Sequence, residues 1–495
     1  MLEEMKRLGQ HLVIGFEGIG VPESIRKLVR ETGVGNIILF RRNLESLEQT
    51  RRMCMEIRKL ILEETGLPPL IMLDEEGGSV SRLAPFRGHI PAAAALGATK
   101  DPEWARRMGA QIGRELRYLG INLNLAPVMD TCTNVRNIVS GNRCFSSDPE
   151  EVARFGCAFM EGVRRSGVGS CVKHFPGAGD TVTDSHLELS RTDMSEEEIR
   201  TKALLPFRAA VAQGAEAVMT AHLLVPSMVS PLVPATVSRT FLTDILRNEM
   251  GYDGVVTTDS LEMRGVSDMY SIEESTVLAL KAGADIGMVC QNPEKTPGIL
   301  ENVRKALEEG RLNREEMDRS MARLRRLKLS LPGPEDAPEP DWAGDRERNT
   351  VPVMEKAVIA LKGPGFPGAD EKTGFAGEEQ NPLFRIGDKE GLNVARVLSE
   401  EAGGKYLGSH PAASDFEGLT AAVLCVNRFS DPAALADLAR ELVRRGLKVM
   451  AVSNHVPYML EGFPKEVQGV VTWQCNDIVM PPLLRMMREG VKAGS

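Results

Sequence analysis

Gly254-Val255-Val256-Thr257-Thr258-Asp259 is a short β-branched run that ends on a carboxylate. A continuous run without polar alternation reads as a strand covered on both faces, and Asp259 then falls at its C-terminal end. The same unit recurs along the first 290 or so residues: an apolar run, a polar residue or glycine, then a charged segment with helical periodicity. The other runs are His11-Leu12-Val13-Ile14-Gly15, Asn36-Ile37-Ile38-Leu39-Phe40, Leu70-Ile71-Met72-Leu73, Ile121-Asn122-Leu123-Asn124-Leu125, Gly169-Ser170-Cys171-Val172, Ala217-Val218-Met219-Thr220 and Ala284-Asp285-Ile286-Gly287-Met288-Val289. Eight strands alternating with helices predict an α/β fold, a (β/α)8 TIM barrel, over an extent close to the roughly 250 residues typical of it. A doubly wound open sheet competes, because periodicity does not say whether a sheet closes. Between the runs, Ser195-Glu196-Glu197-Glu198 places a serine three residues before a glutamate, the pattern of a helix capping box.

The chain has 495 residues, more than one domain needs. After a charged helix near residues 314 to 329, Leu331-Pro332-Gly333-Pro334-Glu335-Asp336-Ala337-Pro338-Glu339-Pro340 reads as an extended acidic linker. Strand-like runs return in 357–361, 421–426, 448–452 and 469–472, with a helix from Pro432 to Arg445 and a loose Gly-rich segment over 363–377. The expected domains are therefore a barrel over 1–330, a linker over 331–350 and a smaller open α/β domain over 351–495. The balance of 60 basic against 69 acidic residues, net charge −9, has the wrong sign for a general nucleic-acid binder. Eight cysteines (Cys54, Cys132, Cys144, Cys157, Cys171, Cys290, Cys425, Cys475) are scattered singly and read as reduced thiols. The opening Met1-Leu2-Glu3-Glu4-Met5-Lys6-Arg7 has no apolar signal core, and no stretch of about 18 apolar residues follows. The expectation is a cytoplasmic protein with no membrane partner.

In a barrel of this kind, chemistry belongs at the C-terminal strand ends. Strand three runs into Asp74-Glu75-Glu76-Gly77-Gly78, strand five into Lys173-His174, strand six into His222 and strand seven into Asp259. One polar residue at a strand end is more often a hydrogen-bonded structural group than a catalyst, whereas four strands agreeing is hard to assign to packing. Strand five continues as Phe175-Pro176-Gly177-Ala178-Gly179-Asp180-Thr181-Val182-Thr183-Asp184-Ser185-His186. An Asp two residues from a His suits acid/base work, since the carboxylate fixes the imidazole tautomer and stabilises the imidazolium. The same pair equally reads as an Asx-turn with a histidine pointing to solvent. Asp259 is open among nucleophile, base, metal ligand and partner of a cation such as Lys173 or Arg143.

These motifs, in this order, resemble glycoside hydrolase family 3, within it the β-N-acetylhexosaminidase branch of bacterial cell-wall recycling. The resemblance covers residues 10 to about 330 and rests on Asp74-Glu75-Glu76-Gly77-Gly78 with Arg82, Asn142-Arg143 with Phe145 and Asp148-Pro149, Lys173-His174-Phe175-Pro176-Gly177, Gly179-Asp180-Thr181, Asp184-Ser185-His186, and Thr258-Asp259-Ser260-Leu261. It implies Asp259 as nucleophile, His186 as acid/base with Asp184 as its partner, and Asp74, Arg82, Arg143, Lys173 and His174 as ligands for the sugar hydroxyls and N-acetyl group. It also implies a two-step retaining mechanism on a small-molecule glycoside, with no cofactor and no metal. The family usually carries a histidine where this chain has Ala178, a departure that bears on loop closure and substrate range.

A retaining glycosidase needs a carboxylate nucleophile and a second group that first protonates the leaving oxygen and then activates water. A histidine serves both steps near neutral pH. A neutral base does not repel an anionic acceptor, so transfer to phosphate stands beside hydrolysis. Two further readings stay open from sequence. His174, His222 and Asp259 at strand ends fit a metal-dependent amidohydrolase, which also expects a His-x-His on strand one that this chain lacks. Ala178 and the loosely matching second domain fit a non-catalytic sugar-binding homologue.

Overall fold

Each of the eight apolar runs forms a strand: β1 (Leu12–Ile14), β2 (Asn36–Leu39), β3 (Leu70–Leu73), β4 (Leu123–Asn124), β5 (Gly169–Phe175), β6 (Ala217–Thr220), β7 (Val255–Ser260) and β8 (Ile286–Val289). The structure is a computed structural model that describes residues 2–134, 137, 140–181, 190–361, 363–377, 393–427 and 430–493. All eight strands are parallel, each beside its sequence neighbours, and β1 closes the ring on β8 through Leu12↔Gly287, Val13↔Met288 and Ile14↔Val289. That pairing decides for the barrel against the open sheet. Helices cross between the strands, among them Glu23–Thr32, Leu47–Thr65, Pro102–Leu119, Pro149–Arg165 and Ile272–Ala282. The capping box forms as expected: Ser195 Oγ accepts from Glu198 N at 3.2 Å, and Ser195 N donates to Glu198 Oε2 at 3.1 Å.

Side chains alternate between the barrel interior and its helical coat. Val13, Ile38, Leu70, Met72, Leu123, Cys171, Ala217, Met219, Val255, Ile286 and Met288 share one buried cluster, while Val172, Val218 and Val256 belong to another. Leu324 and Leu327 of helix Arg314–Ser330 join the interior cluster, so this helix packs on the N-terminal ends of the strands. Polar side chains from this helix and from the segment Thr240–Glu249 meet on Asp285. Arg323 Nη2 donates to Asp285 Oδ1 at 2.8 Å and Arg247 Nη2 to Asp285 Oδ2 at 2.6 Å. Burial pushes the Asp285 carboxyl up, but the two guanidinium groups outweigh it and hold the group below the usual carboxylate range.

The chain divides into two compact units. The first comprises Met1–Glu76, Ala105–Ser140 and Cys144–Asp341, and the second Gly77–Trp104, Gly141–Arg143 and Trp342–Ser495. Two stretches expected within the barrel domain, carrying Arg82 and Arg143, thus belong to the second unit. The stretch expected as an extended linker lacks helix and strand only from Leu331 to Asp341; from Trp342 the backbone is helical through Trp342–Asp345, Arg346–Thr350 and Val351–Ala357.

The second unit is built on a six-stranded sheet of β9 (Ile359–Ala360), β10 (Thr373–Gly377), β11 (Lys405–Tyr406), β12 (Ala421–Val426), β13 (Lys448–Ser453) and β14 (Gln468–Val471), in the order β9-β14-β13-β12-β10-β11. Only β9 runs antiparallel to its neighbour. The expected helix spans Pro432–Arg444. The Gly-rich segment is a correction: its last five residues are not loose but form β10, paired on both sides. Its glycines serve close approach, since a Cβ on Gly374 would lie 2.8 Å from the Phe416 ring and one on Gly377 2.8 Å from Cys425 Cβ. No helix among the described residues is long and apolar enough to cross a membrane.

Lys328 tests the barrel closure. It is fully buried and donates to Gln10 Oε1 at 2.6 Å and Gly35 O at 2.8 Å, and burial pushes its ammonium down to about 7. Between that value and the roughly 10.4 of an unfolded lysine, the unfolded chain binds a proton that the folded one does not, so stability rises with pH across this window. The stability difference between wild type and Lys328→Met should therefore shift in favour of wild type from pH 7 to 10, by up to about 1.4 kcal/mol per pH unit. Denaturant titrations at each pH measure it, and a pH-independent difference would contradict the assignment.

Candidate active site

The alternation that fills the barrel also places its polar mouth. Leu70 and Met72 point inward, and Asp74 follows them two residues on, just past β3; Cys171 points inward and Lys173 follows it in β5; Val255 points inward, and Asp259 lies near the C-terminal end of β7, within a register shift against β8 between Thr257 and Ser260. Three charged side chains thus come to the C-terminal mouth of one barrel.

Lys173 is 2% exposed, and its Nζ lies 2.7 Å from Asp74 Oδ1 and 2.6 Å from Glu76 Oε1. The ammonium is held between two carboxylates supplied by the turn after β3. That turn is fixed by asparagines alternating along the strand-four run. Asn124 clamps Glu75, accepting from its N at 3.1 Å and donating to its O at 3.0 Å. Asn122 does the same to β3, accepting from Ile71 N at 2.8 Å and donating to Pro69 O at 2.9 Å. Sequence reasoning singled out Asp74 and Lys173 but not Glu76, although Glu76 lies in the quoted motif.

Asp259 Oδ1 accepts from Ser260 N at 2.7 Å. Its charge and that of Asp74 both act on Cys171 and Cys290, whose thiols are pushed well up, chiefly by burial. Two residues beyond Ser260, Glu262 anchors the loop after β8, accepting from the backbone N–H of Cys290, Gln291 and Asn292 at 2.6, 2.7 and 2.9 Å. The strand ends that carry the site are thereby tied to one another.

His174 is oriented by a residue that sequence reasoning missed. Asp130, completely buried, accepts from His174 Nδ1 at 2.7 Å, from His174 N at 3.3 Å and from Ala178 N at 2.7 Å. Burial pushes its carboxyl up, yet the His174 ring and the two amides outweigh that and leave it below the usual range. A signal existed: the apolar run continues past β4 to Met129, and this extension pairs with β5 through Met129 N to Lys173 O at 2.6 Å. With Nδ1 given to Asp130, Nε2 is the ring nitrogen turned to other chemistry.

The start of the loop carrying the expected acid/base pair is described as far as Thr181. Asp180 accepts from Thr133 Oγ1 at 3.2 Å and from Thr192 Oγ1 at 3.1 Å, and Asn134 Nδ2 donates to its backbone O at 2.9 Å. Gly179 is dictated by close approach, because a Cβ there would lie 1.9 Å from Thr131 O. Asp184 and His186 lie outside the described residues. Arg82 and Arg143 belong to the second unit, where Arg82 is 9% exposed. His222 is 2% exposed with both ring nitrogens engaged, Nδ1 with Thr236 Oγ1 and Nε2 with Ser260 O, each at 2.8 Å. This is the structural role among those open to it, and it weakens the amidohydrolase reading. Among the described residues no group of three or more His, Cys, Asp or Glu side chains is placed to hold a metal ion.

A closed (β/α)8 barrel with carboxylates, a lysine and a carboxylate-oriented histidine at its strand ends has the layout of a barrel enzyme. The model of the glycosyl hydrolase family 3 N terminal domain matches residues 3–327, and the chain belongs to that family. It is similar to the beta-hexosaminidase A of Pseudoalteromonas piscicida, 33% identical over 338 residues that span 63% of this chain and 56% of that protein. It is also similar to the beta-hexosaminidase of Chromobacterium violaceum, 36% identical over 58% of this chain and 81% of the relative. A solved glycoside hydrolase family 3 beta-N-acetylglucosaminidase from Paenibacillus sp. str. FPU-7 is 31% identical and superposes with a TM-score of 0.87 over 98% of this chain and 97% of its own.

Asp130→Asn keeps the volume and removes the charge. A charge-assisted hydrogen bond is worth about 1.5–3 kcal/mol, so kcat/KM on a glycoside substrate should fall about 10- to 150-fold. Steady-state kinetics read the loss, and a variant as fast as wild type would show that His174 needs no such orientation.

Proposed function

We propose that this protein is a retaining β-N-acetylglucosaminidase that releases terminal β-linked N-acetylglucosamine from small cell-wall or chitin-derived glycosides. The observation that carries the reading is Asp259, a carboxylate at the fifth of six positions of the barrel's seventh strand, near its C-terminal end as Lys173 is in β5 and Asp74 is just past β3. Its Oδ1 accepts an amide hydrogen bond, so Oδ2 is the oxygen that attacks the anomeric carbon. The C1–O bond to the leaving group breaks as the new bond forms, and His186, partnered by Asp184, gives its proton to the departing oxygen. In the second step His186 takes a proton from water, which attacks C1 and frees Asp259. Asp74, Arg82, Arg143, Lys173 and His174 hold the sugar, His174 through its Nε2.

The electrostatics of the mouth favour such a reaction. Asp74 and Glu76 pair with Lys173 at the strand ends, and the charges of Asp74 and Asp259 act on the same buried thiols, Cys171 and Cys290. An oxocarbenium-like transition state develops positive charge, which such an environment stabilises. The names of the relatives at 33% and 36% identity, and of the solved enzyme at 31%, support the hexosaminide over other sugars. A cytoplasmic setting belongs to the proposal as well, supported by eight free cysteines, six of them buried.

The test is release of the aryl group from an aryl β-N-acetylglucosaminide, with and without inorganic phosphate. Free N-acetylglucosamine as the product in both cases is expected. A sugar 1-phosphate formed only with phosphate would redirect the second step to phosphorolysis, and no release in either case would overturn the assignment. Asp259→Asn should abolish turnover. His186→Ala should slow substrates with poor leaving groups by about 10²- to 10⁴-fold and activated aryl substrates far less. Equal losses on both would exclude His186 as the acid.

A further inference from the structure

The segments that carry Arg82 and Arg143 belong to the second unit, and one dipeptide of that unit grips both of them. Trp473-Gln474 follows β14, the last parallel strand. Asn142 Nδ2 donates to Trp473 O at 2.8 Å, next in sequence to Arg143. Ala92 N donates to Gln474 Oε1 at 2.6 Å. Ala92 in turn backs the turn that leads to Arg82: a Cβ on Gly78 would lie 2.5 Å from Ala92 Cβ, and Gly78 N donates to Ile90 O at 3.1 Å.

The dipeptide is itself held in an unusual conformation. Trp473 has φ 66, the left-handed region that a bulky side chain seldom adopts. Its indole Nε1 donates to Ala357 O at 2.6 Å, and Thr472 Oγ1 donates to Gln474 O at 2.9 Å. Gln474 is 2% exposed, and its amide N donates to Asn476 Oδ1 at 3.0 Å. His455, in the loop after β13, is 4% exposed and so close to Gly141 that a Cβ there would lie 2.3 Å from its Nε2. Loops at the C-terminal ends of an open parallel sheet are where such folds usually bind ligands. Here they bind two pieces of their own chain, each with an arginine.

We propose that Trp473-Gln474, backed by His455, is the positioning element for Arg82 and Arg143, and that it acts on sugar binding through them without supplying a reacting group. The proposal rests on the assignment of both arginines to the sugar. A guanidinium recognises hydroxyl and amide oxygens through a planar fork, so its value depends on where its backbone is fixed.

The experiment is a pair of double-mutant cycles on an aryl β-N-acetylglucosaminide, Gln474→Leu with Arg82→Ala and Asn142→Ala with Arg143→Ala. Each positioning variant alone should raise KM about tenfold with kcat changed less than about threefold. In the arginine-to-alanine background the same variant should add less than about twofold, because the group it positions is gone. Gln474→Glu keeps the acceptor for Ala92 N and should restore most of the affinity. If Gln474→Leu does not fold, the Asn142 cycle and Gln474→Glu carry the reading. Unchanged KM in the single variants, or losses that add in full, overturn the positioning role while leaving the activity intact. A wild-type enzyme silent on the substrate overturns the functional assignment, and this role with it.

Discussion

A lysine ammonium with 2% exposure has to be paired, and much of the barrel mouth follows from that requirement. Lys173 reaches Asp74 and Glu76, so β5 is bound to the turn after β3 by charge, across the short strand β4 that lies between them. Removing one partner of such a buried pair typically costs about 3–5 kcal/mol, because the remaining charge stays buried. With two carboxylates against one ammonium, loss of either still leaves Lys173 a partner. The same arrangement explains why β4 can be only two residues long. Asn124 in it and Asn122 just before it give the neighbouring chain the hydrogen bonds that a longer ladder would otherwise supply.

The histidine beside Lys173 is handled differently. Asp130 takes one ring nitrogen and two backbone amides, so a single buried carboxylate fixes the ring of His174 and the path of the chain through Ala178. Adjacent residues of β5 thus answer to different carboxylates, Lys173 to β3 and His174 to the extension of β4. Both side chains are held in place by carboxylates, so this part of the mouth is organised in advance.

The eight barrel strands are legible in the sequence because each is covered on both faces, and a run such as Val255-Val256-Thr257-Thr258 has few other uses. Closure of the sheet is not legible, since it depends on β1 meeting β8 after more than 270 intervening residues. Parity along the strands carries Asp74 and Lys173 to the mouth, and Asp259 lies near the end of its run, so those three can be read locally. Asp130 cannot, for it becomes a site residue only through its contact with His174, 44 positions away. β10 is hidden for the opposite reason: Gly374 and Gly377 look like loop residues, yet they are small because Phe416 and Cys425 leave no room for a side chain. Nor does sequence separation show that Arg82 and Arg143 belong with the C-terminal sheet, because compactness is decided by contacts that no local window contains.

Ala178 is held through its main chain rather than its side chain. The family's usual histidine at this position suggests a side chain that steadies the loop toward Asp184 and His186. In this chain the main chain does the steadying: Ala178 N donates to Asp130 Oδ1 at 2.7 Å, and Ala178 O accepts from Asn137 Nδ2 and Thr181 Oγ1, both at 3.0 Å. Two residues on, Asp180 is held by Thr133, Asn134 and Thr192. On the far side of the loop, Ser190 pairs with Leu223 in a short parallel ladder. Backbone groups are available whatever side chain the residue carries. The loop therefore leaves and re-enters the barrel at fixed points without a histidine at 178. What the smaller residue changes is the space beside those points.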